Sequence, residues 1–240
     1  MSAHRLEPSS PEGGPSRVEM DLYPDLVRAG GLSAAMLELG SEHALEIGEV
    51  ASQPFGGQIK PVLVQSGNGS VSVVAGVVKR LFSIGISRGG HLLANGATDS
   101  LIDIVRLADA WRKGIAFSAL EEQFPFMNVD QLAKAFEDGN QVAFRWGELL
   151  RDPDLGEVRS LLMAVQSNWA LRGLFPSVSH LTLLRLDLDS TDSAAGAILI
   201  GKTADLGFTV DATWIEGAAN HVASIEEALE VATLLLRDRV

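Results

Sequence analysis

Hydrophobic and polar positions change their spacing along the chain, and each spacing predicts a type of secondary structure. Over residues 22–45 apolar side chains fall at loose helical spacing broken by glycines, which predicts short helices. From Val71 to Ile86 the spacing becomes two, which is typical of half-buried strands. Arg88-Gly89-Gly90 then predicts a tight turn, and the chain returns as a strand from His91.

The pattern becomes helical in the middle of the chain and returns to strands near its C-terminal third. Thr98 is a good N-cap for an apolar helix that ends at Lys113-Gly114. Residues 116–176 carry helical spacing, and from His180 the spacing typical of strands resumes. Ser224 to Glu227 matches a capping box, which predicts the start of a final helix.

Two stretches of the chain share one order of predicted elements. Residues 82–98 and 208–224 each contain a strand, a glycine turn, a return segment and an N-cap, and an apolar helix follows each. This echo predicts an internal structural duplication, although sheet-plus-helix units also resemble one another without being repeats. We therefore predict an α+β fold, in which two antiparallel sheet-plus-helix units flank a helical segment.

The domain organisation follows from the same pattern. Residues 1–17 are rich in proline, glycine, serine and charge, so we predict a disordered tail. Residues 18–240 are predicted to form a single α+β domain. Within it we expect sub-units over residues 18–115 and 177–240, placed around a helical insert of residues 116–176.

Composition narrows the classes of function. The 240 residues are 46% hydrophobic, which is enough for a sizeable core, and their net charge is −12. So acidic a surface repels phosphates, which argues against nucleic acid and anionic membranes as partners. The absence of cysteine excludes disulfides, thiolate zinc sites and cysteine nucleophiles. No apolar run is long enough for a membrane helix, so we expect a cytoplasmic protein.

Three short motifs match a functional pattern but lie in the wrong context. Gly196 to Thr203 fits the phosphate-binding GxxxxGK[ST] pattern, yet the residues between its glycines predict a strand. Gly85 to Gly89 fits GxSxG, yet a hairpin turn follows where a nucleophile elbow needs a helix. Asp187 to Asp192 lacks the glycine and glutamate of a calcium loop, and the histidines lack metal-binding spacing. We therefore expect no cofactor and no metal.

Candidate functional residues remain near the end of the helical middle segment. Arg145 and Glu148 are three residues apart and share a helix face, as do Glu148 and Arg151. We consider Arg145 and Arg159 as candidates for holding an anionic part of a substrate. His180 is the candidate proton-transfer residue, because histidine titrates near neutrality. The alternatives are a solvated ladder of ion pairs and a buried histidine that fixes the entry to a strand.

Two segments resemble a known family. They are Phe144-Arg-Trp-Gly-Glu-Leu-Leu-Arg-Asp-Pro153 and Leu171-Arg-Gly-Leu-Phe-Pro-Ser-Val-Ser-His-Leu-Thr-Leu183. They resemble the R-W-x-x-L-L-x-D-P and L-R-x-L-F-P-F-T-S-H-W-T-L segments of an actinobacterial family that is labelled "natural product biosynthesis protein". The chain departs from that pattern at Val178 and Leu181. The resemblance implies a role in secondary metabolism and specifies no reaction.

Three classes of function are consistent with these observations. The first is an accessory or tailoring enzyme that uses acid–base chemistry on a biosynthetic intermediate. The second is a non-catalytic protein that binds and presents a peptide or carrier-bound intermediate. The third is an immunity or interaction protein, whose acidic surface would suit a basic partner. The expected partners are accordingly a small-molecule or peptide intermediate, or another biosynthetic protein.

Overall fold

The fold is α+β, as the sequence predicts. The structure, a computed structural model, describes residues 17–53, 59–217 and 219–239. It combines helices with two antiparallel sheets, one of six strands and one of five. Contacts within the chain separate it into two compact units. The first unit comprises the residues up to Ser87 and residues 94–129, and the second comprises residues 88–93 and the chain from Asp130 onward.

The first unit begins with short helices, continues as an antiparallel meander, and ends with two helices and a short strand. The strand order β1-β2-β3-β4-β5-β6 follows the sequence, so every neighbour is the next strand along the chain. The elements are α1 (Arg17–Leu22), α2 (Pro24–Ala29), α3 (Leu32–Glu42), β1 (Glu49–Ser52), β2 (Val62–Ser66), β3 (Gly69–Ala75), β4 (Phe82–Arg88), β5 (His91–Thr98), α4 (Leu101–Arg112), α5 (Phe117–Gln123) and β6 (Met127–Val129).

Alternation along the strands explains how the first unit forms its core. Val71 and Val73 on β3 are fully buried, as period two requires for one face of a sheet. Helix α4 contributes an apolar face that includes the buried Trp111. The predicted N-cap of this helix is wrong by two residues. Ser100 is the N-cap, because Thr98 ends β5 and its hydroxyl accepts the N–H of Ser100 at 3.2 Å.

The second unit runs from helices through a second meander to a final helix. Its strand order is β11-β10-β9-β8-β7. The elements are α6 (Gln131–Glu137), α7 (Gln141–Arg151), a 3₁₀ segment (Pro153–Val158), α8 (Arg159–Ser167), β7 (Phe175–Ser179), β8 (Leu183–Asp187), a 3₁₀ turn (Ser193–Ala195), β9 (Ala197–Lys202), β10 (Phe208–Ala212), β11 (Asn220–Val222) and α9 (Ile225–Arg237). Its core packs the apolar faces of α7, α8 and α9 with the inner face of the sheet.

The boundaries differ from those predicted. The predicted single domain separates into two units, and the helical segment 116–176 is divided between them rather than inserted as a block. The reason is that β6 pairs with β5, whereas α7 packs on β7. Phe175–Ser179 is a strand where a helix end was expected, because Pro176 has no N–H to continue a helix. Of the predicted tail, residues 1–16 lie outside the described ranges, and Arg17 begins α1.

Several local predictions are confirmed. The residues between Gly196 and Thr203 form strand β9, so this motif does not have the loop geometry that cradles phosphate. Gly89 and Gly90 both have positive φ in the turn between β4 and β5. Ser224 accepts the N–H of Glu227 at 3.1 Å as the capping box predicts. In each unit five strands, β1–β5 or β7–β11, lead into an apolar helix, α4 or α9, but α5 and β6 follow only in the first unit, so the internal duplication stays a prediction.

Candidate functional site

A cleft of about 520 Å³ lies in the second unit, beside helix α7. We call it the α7 cleft. Its volume is within the range typical of small-molecule sites. The charged residues along it are Arg145, Glu148, Arg151 and Asp152, and the apolar ones are Phe144, Leu149, Leu155, Val178 and Leu181. The cleft therefore offers an apolar surface next to paired charges.

The sequence of α7 explains why the charged side chains meet there. Arg145 and Glu148 are three residues apart, and Arg145 Nη1 lies 3.1 Å from Glu148 Oε2. Arg151 Nε donates to the carbonyl of Gly147 at 2.7 Å, so this side chain lies back along its own helix. A Cβ at Gly147 would lie 3.0 Å from Arg151 Nη2, the end of a flexible side chain that can move away.

The opposite face of α7 is fixed by the core. Trp146 is 2% exposed, and its indole N–H donates to the carbonyl of Arg172 at 3.0 Å. This bond ties α7 to the segment that leads into β7, which itself supplies Val178 to the cleft. Burial of an indole with its N–H satisfied fixes both the position and the rotation of the helix. The geometry of the cleft thus depends on a core residue that does not line it.

Arg159, a predicted substrate-binding residue, has a different position from Arg145. Its guanidinium donates to the backbone carbonyls of Leu150 and Asp152. These carbonyls belong to the C-terminal end of α7, where helix carbonyls have no partner within the helix. Arg159 is not among the residues that line the α7 cleft. Of the two predicted arginines, the structure brings Arg145 to the cleft and places Arg159 at the end of its helix.

His180, the predicted proton-transfer residue, lies in the turn between β7 and β8 and is exposed. His180 and Leu181 both have positive φ, 51° and 60°. Thr182 N–H donates to the carbonyl of Ser179 at 3.3 Å, which closes the turn. Leu181 lines the α7 cleft, whereas the imidazole of His180 does not. The proton-transfer role of His180 stays a prediction, and because the imidazole is exposed, the alternative of a buried histidine that fixes the strand entry is wrong.

The structure also contains a buried polar cluster that sequence reasoning missed. Asp187 is buried, and Arg185 Nε donates to its Oδ1 at 2.7 Å. His91 Nε2 lies 3.8 Å from Asp187 Oδ2, and the imidazole packs on the ring of Phe175 at 4.5 Å. Arg185 and Asp187 are two positions apart on one strand, so period two places them on the same face. That spacing is a sequence signal for the Arg185–Asp187 pair, but nothing local in the sequence indicates that His91 lies beside it.

The electrostatics of this cluster connect it to the α7 cleft. Burial lowers the pKa of His91 below its ordinary value of 6.5, Asp187 opposes this shift, and the positive charges of Arg145 and Arg185 reinforce it. His91 Nε2 is buried and has no hydrogen-bond partner among the described residues. Arg145 therefore lines the cleft and, through its positive charge, also favours the neutral form of the His91 imidazole in the same unit.

Comparisons with protein-family models, with curated proteins and with solved structures find no match to this chain. Within the described ranges, no helix has both the length and the apolar character needed to cross a bilayer. Nor do the described residues place three or more His, Asp or Glu side chains where they would hold a metal ion. The fold and the cleft together define an α+β protein with a cleft whose lining is partly charged and partly apolar.

Proposed function

We propose that this protein is an accessory protein of bacterial natural-product biosynthesis, which binds a small-molecule or peptide intermediate in the α7 cleft. One observation carries the proposal. Residues 144–153, which resemble the natural-product family, supply six of the residues that line the cleft, and residues 171–183 supply Val178 and Leu181, the two positions at which the chain departs from the family pattern. Segments separated by the whole of helix α8 thus meet at one surface.

The chemistry of the cleft favours an intermediate with an apolar body and an anionic group. Phe144, Leu149 and Leu155 offer apolar surface, and Arg145 and Arg151 offer guanidinium groups. Arginine binds carboxylate and phosphate through paired N–H donors. Glu148 and Asp152 balance the charge of the two arginines along the cleft, so an anionic group would bind there through the remaining guanidinium N–H donors and not through a net positive charge.

Binding without catalysis is the version of this function that the geometry supports best. Arg145 is engaged by Glu148, and Arg151 by the carbonyl of Gly147. Such groups orient a ligand through charge and hydrogen bonds, and arginine does not exchange protons near neutral pH. The partner that follows is an intermediate presented to another biosynthetic enzyme.

Deletion of the gene followed by mass spectrometry of accumulated intermediates tests this function. We expect one intermediate to accumulate, and the wild-type gene to restore the final product. Arg145→Gln should restore it less well, while Arg237→Gln, a matched change on α9 outside the cleft, should restore it fully. Purified protein should bind the accumulated intermediate without converting it. An unchanged product profile after deletion would exclude the proposed role.

A second candidate function is acid–base catalysis by His180. It is favoured by the left-handed backbone of His180 and Leu181, since residues other than glycine hold such conformations at a cost that is often found at functional sites. Conversion of the intermediate by purified protein, lost in His180→Ala with the fold intact, would establish this function instead. Full conversion by His180→Ala would exclude His180 as the catalytic residue.

A further inference from the structure

The first unit contains a second cleft, of about 620 Å³, between helix α4 and the turn that joins α5 to β6. We call it the α4 cleft, and we propose that it binds an aromatic carboxylate. This inference is independent of the function proposed for the α7 cleft, because it uses different residues in a different unit. It rests on two cations at fixed positions and on a rigid aromatic wall.

The first part of the argument is the position of the cations. Arg106 and Lys113 both line the cleft and are seven residues apart on or just after α4, so they lie on one face, about 10 Å apart along the helix axis. Lys113 Nζ lies 2.7 Å from Asp109 Oδ2, so its ammonium group is drawn one turn back toward Arg106. Both side chains are long enough to reach a single carboxylate from these positions.

Asp109 fixes the ammonium group of Lys113 because the carboxylate itself cannot move freely. Asp109 is buried, and its Oδ1 accepts the N–H of Glu46 at 3.1 Å. Burial opposes ionisation, yet the hydrogen bonds from Lys113 and from Glu46 hold the pKa of Asp109 below its ordinary value of 3.8. Asp109 is therefore charged at neutral pH and anchors Lys113, whose side chain is 59% exposed.

The balance of donors and acceptors indicates the charge of the ligand. Both oxygens of Asp109 already accept hydrogen bonds. Arg106 donates one hydrogen bond, to Asp103 at 3.3 Å, and Lys113 donates one, to Asp109. Neither side chain makes another hydrogen bond to the described residues. Most N–H donors of the two cations thus remain for a ligand. An anion satisfies them, whereas an ammonium ligand would find both oxygens of Asp109 occupied and one oxygen of Asp103 engaged by Arg106.

The second part of the argument is the aromatic wall. The rings of Phe124 and Phe126 have centroids 5.9 Å apart at an interplanar angle of 69°. Met127 N–H donates to the carbonyl of Phe124 at 2.9 Å, which fixes the turn. A Cβ at Gly96 would lie 2.4 Å from the carbonyl oxygen of Phe126, so only glycine allows β5 to approach this closely. Phe124 is buried in the core, so Phe126, which is partly exposed, is the ring on which a ligand ring would pack.

Isothermal titration calorimetry with two probes on the full chain tests the inference. Indole-3-acetate carries an aromatic ring and a carboxylate, and tryptamine carries the same ring and an ammonium group. We expect saturable binding of indole-3-acetate and at least about tenfold weaker binding of tryptamine. Arg106→Gln should weaken indole-3-acetate binding about tenfold, as loss of a charge-assisted hydrogen bond implies. Arg237→Gln is the matched control and should leave it unchanged.

Arg106 is the residue to replace because its side chain is exposed, whereas loss of Lys113 would leave the buried Asp109 without its cation. Phe126→Ala provides a second variant, and it should also weaken binding of indole-3-acetate. Circular dichroism confirms that each variant is folded. Three results would each overturn the inference: no saturable binding of indole-3-acetate, equal or tighter binding of tryptamine, or unchanged affinity in both Arg106→Gln and Phe126→Ala.

Discussion

Replacement of Trp146 by phenylalanine tests whether the core fixes the α7 cleft. The change removes the indole N–H that donates to the carbonyl of Arg172 at 3.0 Å. A neutral hydrogen bond contributes about 1 kcal/mol. The lost part of the ring is equivalent to roughly two buried methylene groups, each worth about 0.8 kcal/mol, and it leaves a cavity. We therefore expect Trp146→Phe to lower the free energy of unfolding by about 2–4 kcal/mol.

Urea unfolding followed by far-ultraviolet circular dichroism measures this loss without relying on tryptophan fluorescence. Trp169→Phe is the matched control, because Trp169 is 79% exposed and its replacement should change stability by less than about 0.5 kcal/mol. Under conditions where Trp146→Phe is folded, it should also bind the accumulated intermediate more weakly than the control does. Equal stability of the two variants would refute the conclusion that this indole fixes the helix.

Further predictions concern His91, the glycine turn and Arg159. Burial lowers the pKa of His91, so the unfolded chain binds the proton more readily. The stability that neutral His91 confers is therefore complete above pH 6.5 and is lost as the pH falls through its folded pKa. His91→Phe should flatten that dependence in urea titrations between about pH 5 and 7. Gly89→Ala should destabilise more than Gly90→Ala in the same assay, because both have positive φ but only Gly89 would place a Cβ 2.1 Å from the carbonyl oxygen of Ser190. Gly90→Ala should lower the free energy of unfolding by about 1–2 kcal/mol, and equal losses in the two variants would contradict the clash expected at Gly89. Arg159→Met should lower the free energy of unfolding by about 1.5–3 kcal/mol, because the hydrogen bonds to the end of α7 are lost, and Arg159→Lys should recover little of that stability. Unchanged stability in Arg159→Met would contradict the conclusion that Arg159 stabilises the end of α7.

The sequence predicts the parts of this fold that depend on neighbours along the chain. Period-two spacing and the Gly89-Gly90 turn specify the hairpin of β4 and β5, since strand alternation and positive φ are local properties. The capping box at Ser224 likewise specifies the start of α9. The Arg145–Glu148 pair was predicted for the same reason, because residues three apart on a helix meet in any context.

The sequence does not predict the parts that depend on contacts between distant segments. His91 and Asp187 are 96 positions apart in the chain, and only the packing of the hairpin tip beside β8 in the second unit brings them together. Asp187 begins the aspartate-rich segment 187–192, and the burial of Asp187 beside Arg185 depends on how β8 packs in the sheet. Pro176 likewise predicted the end of a helix, whereas α8 already ends at Ser167, residues 169–173 form turns, and the residues around Pro176 pair with β8 as a strand.

The two clefts lie beside helices that come at different points in the order of elements within their units. In the second unit the charged residues lie on α7, before the meander, and in the first unit on α4, after it. Each helix buries a tryptophan, Trp146 or Trp111, and carries a partly exposed ion pair, Arg145–Glu148 on α7 and Arg106–Asp103 on α4. Exposed pairs of this kind contribute only about 0–1 kcal/mol to stability, so the fold gains little from them. Their position beside a cleft is consistent with the ligand binding that we propose, and the two proposals together predict that substitutions at Arg145 and Arg106 affect different ligands.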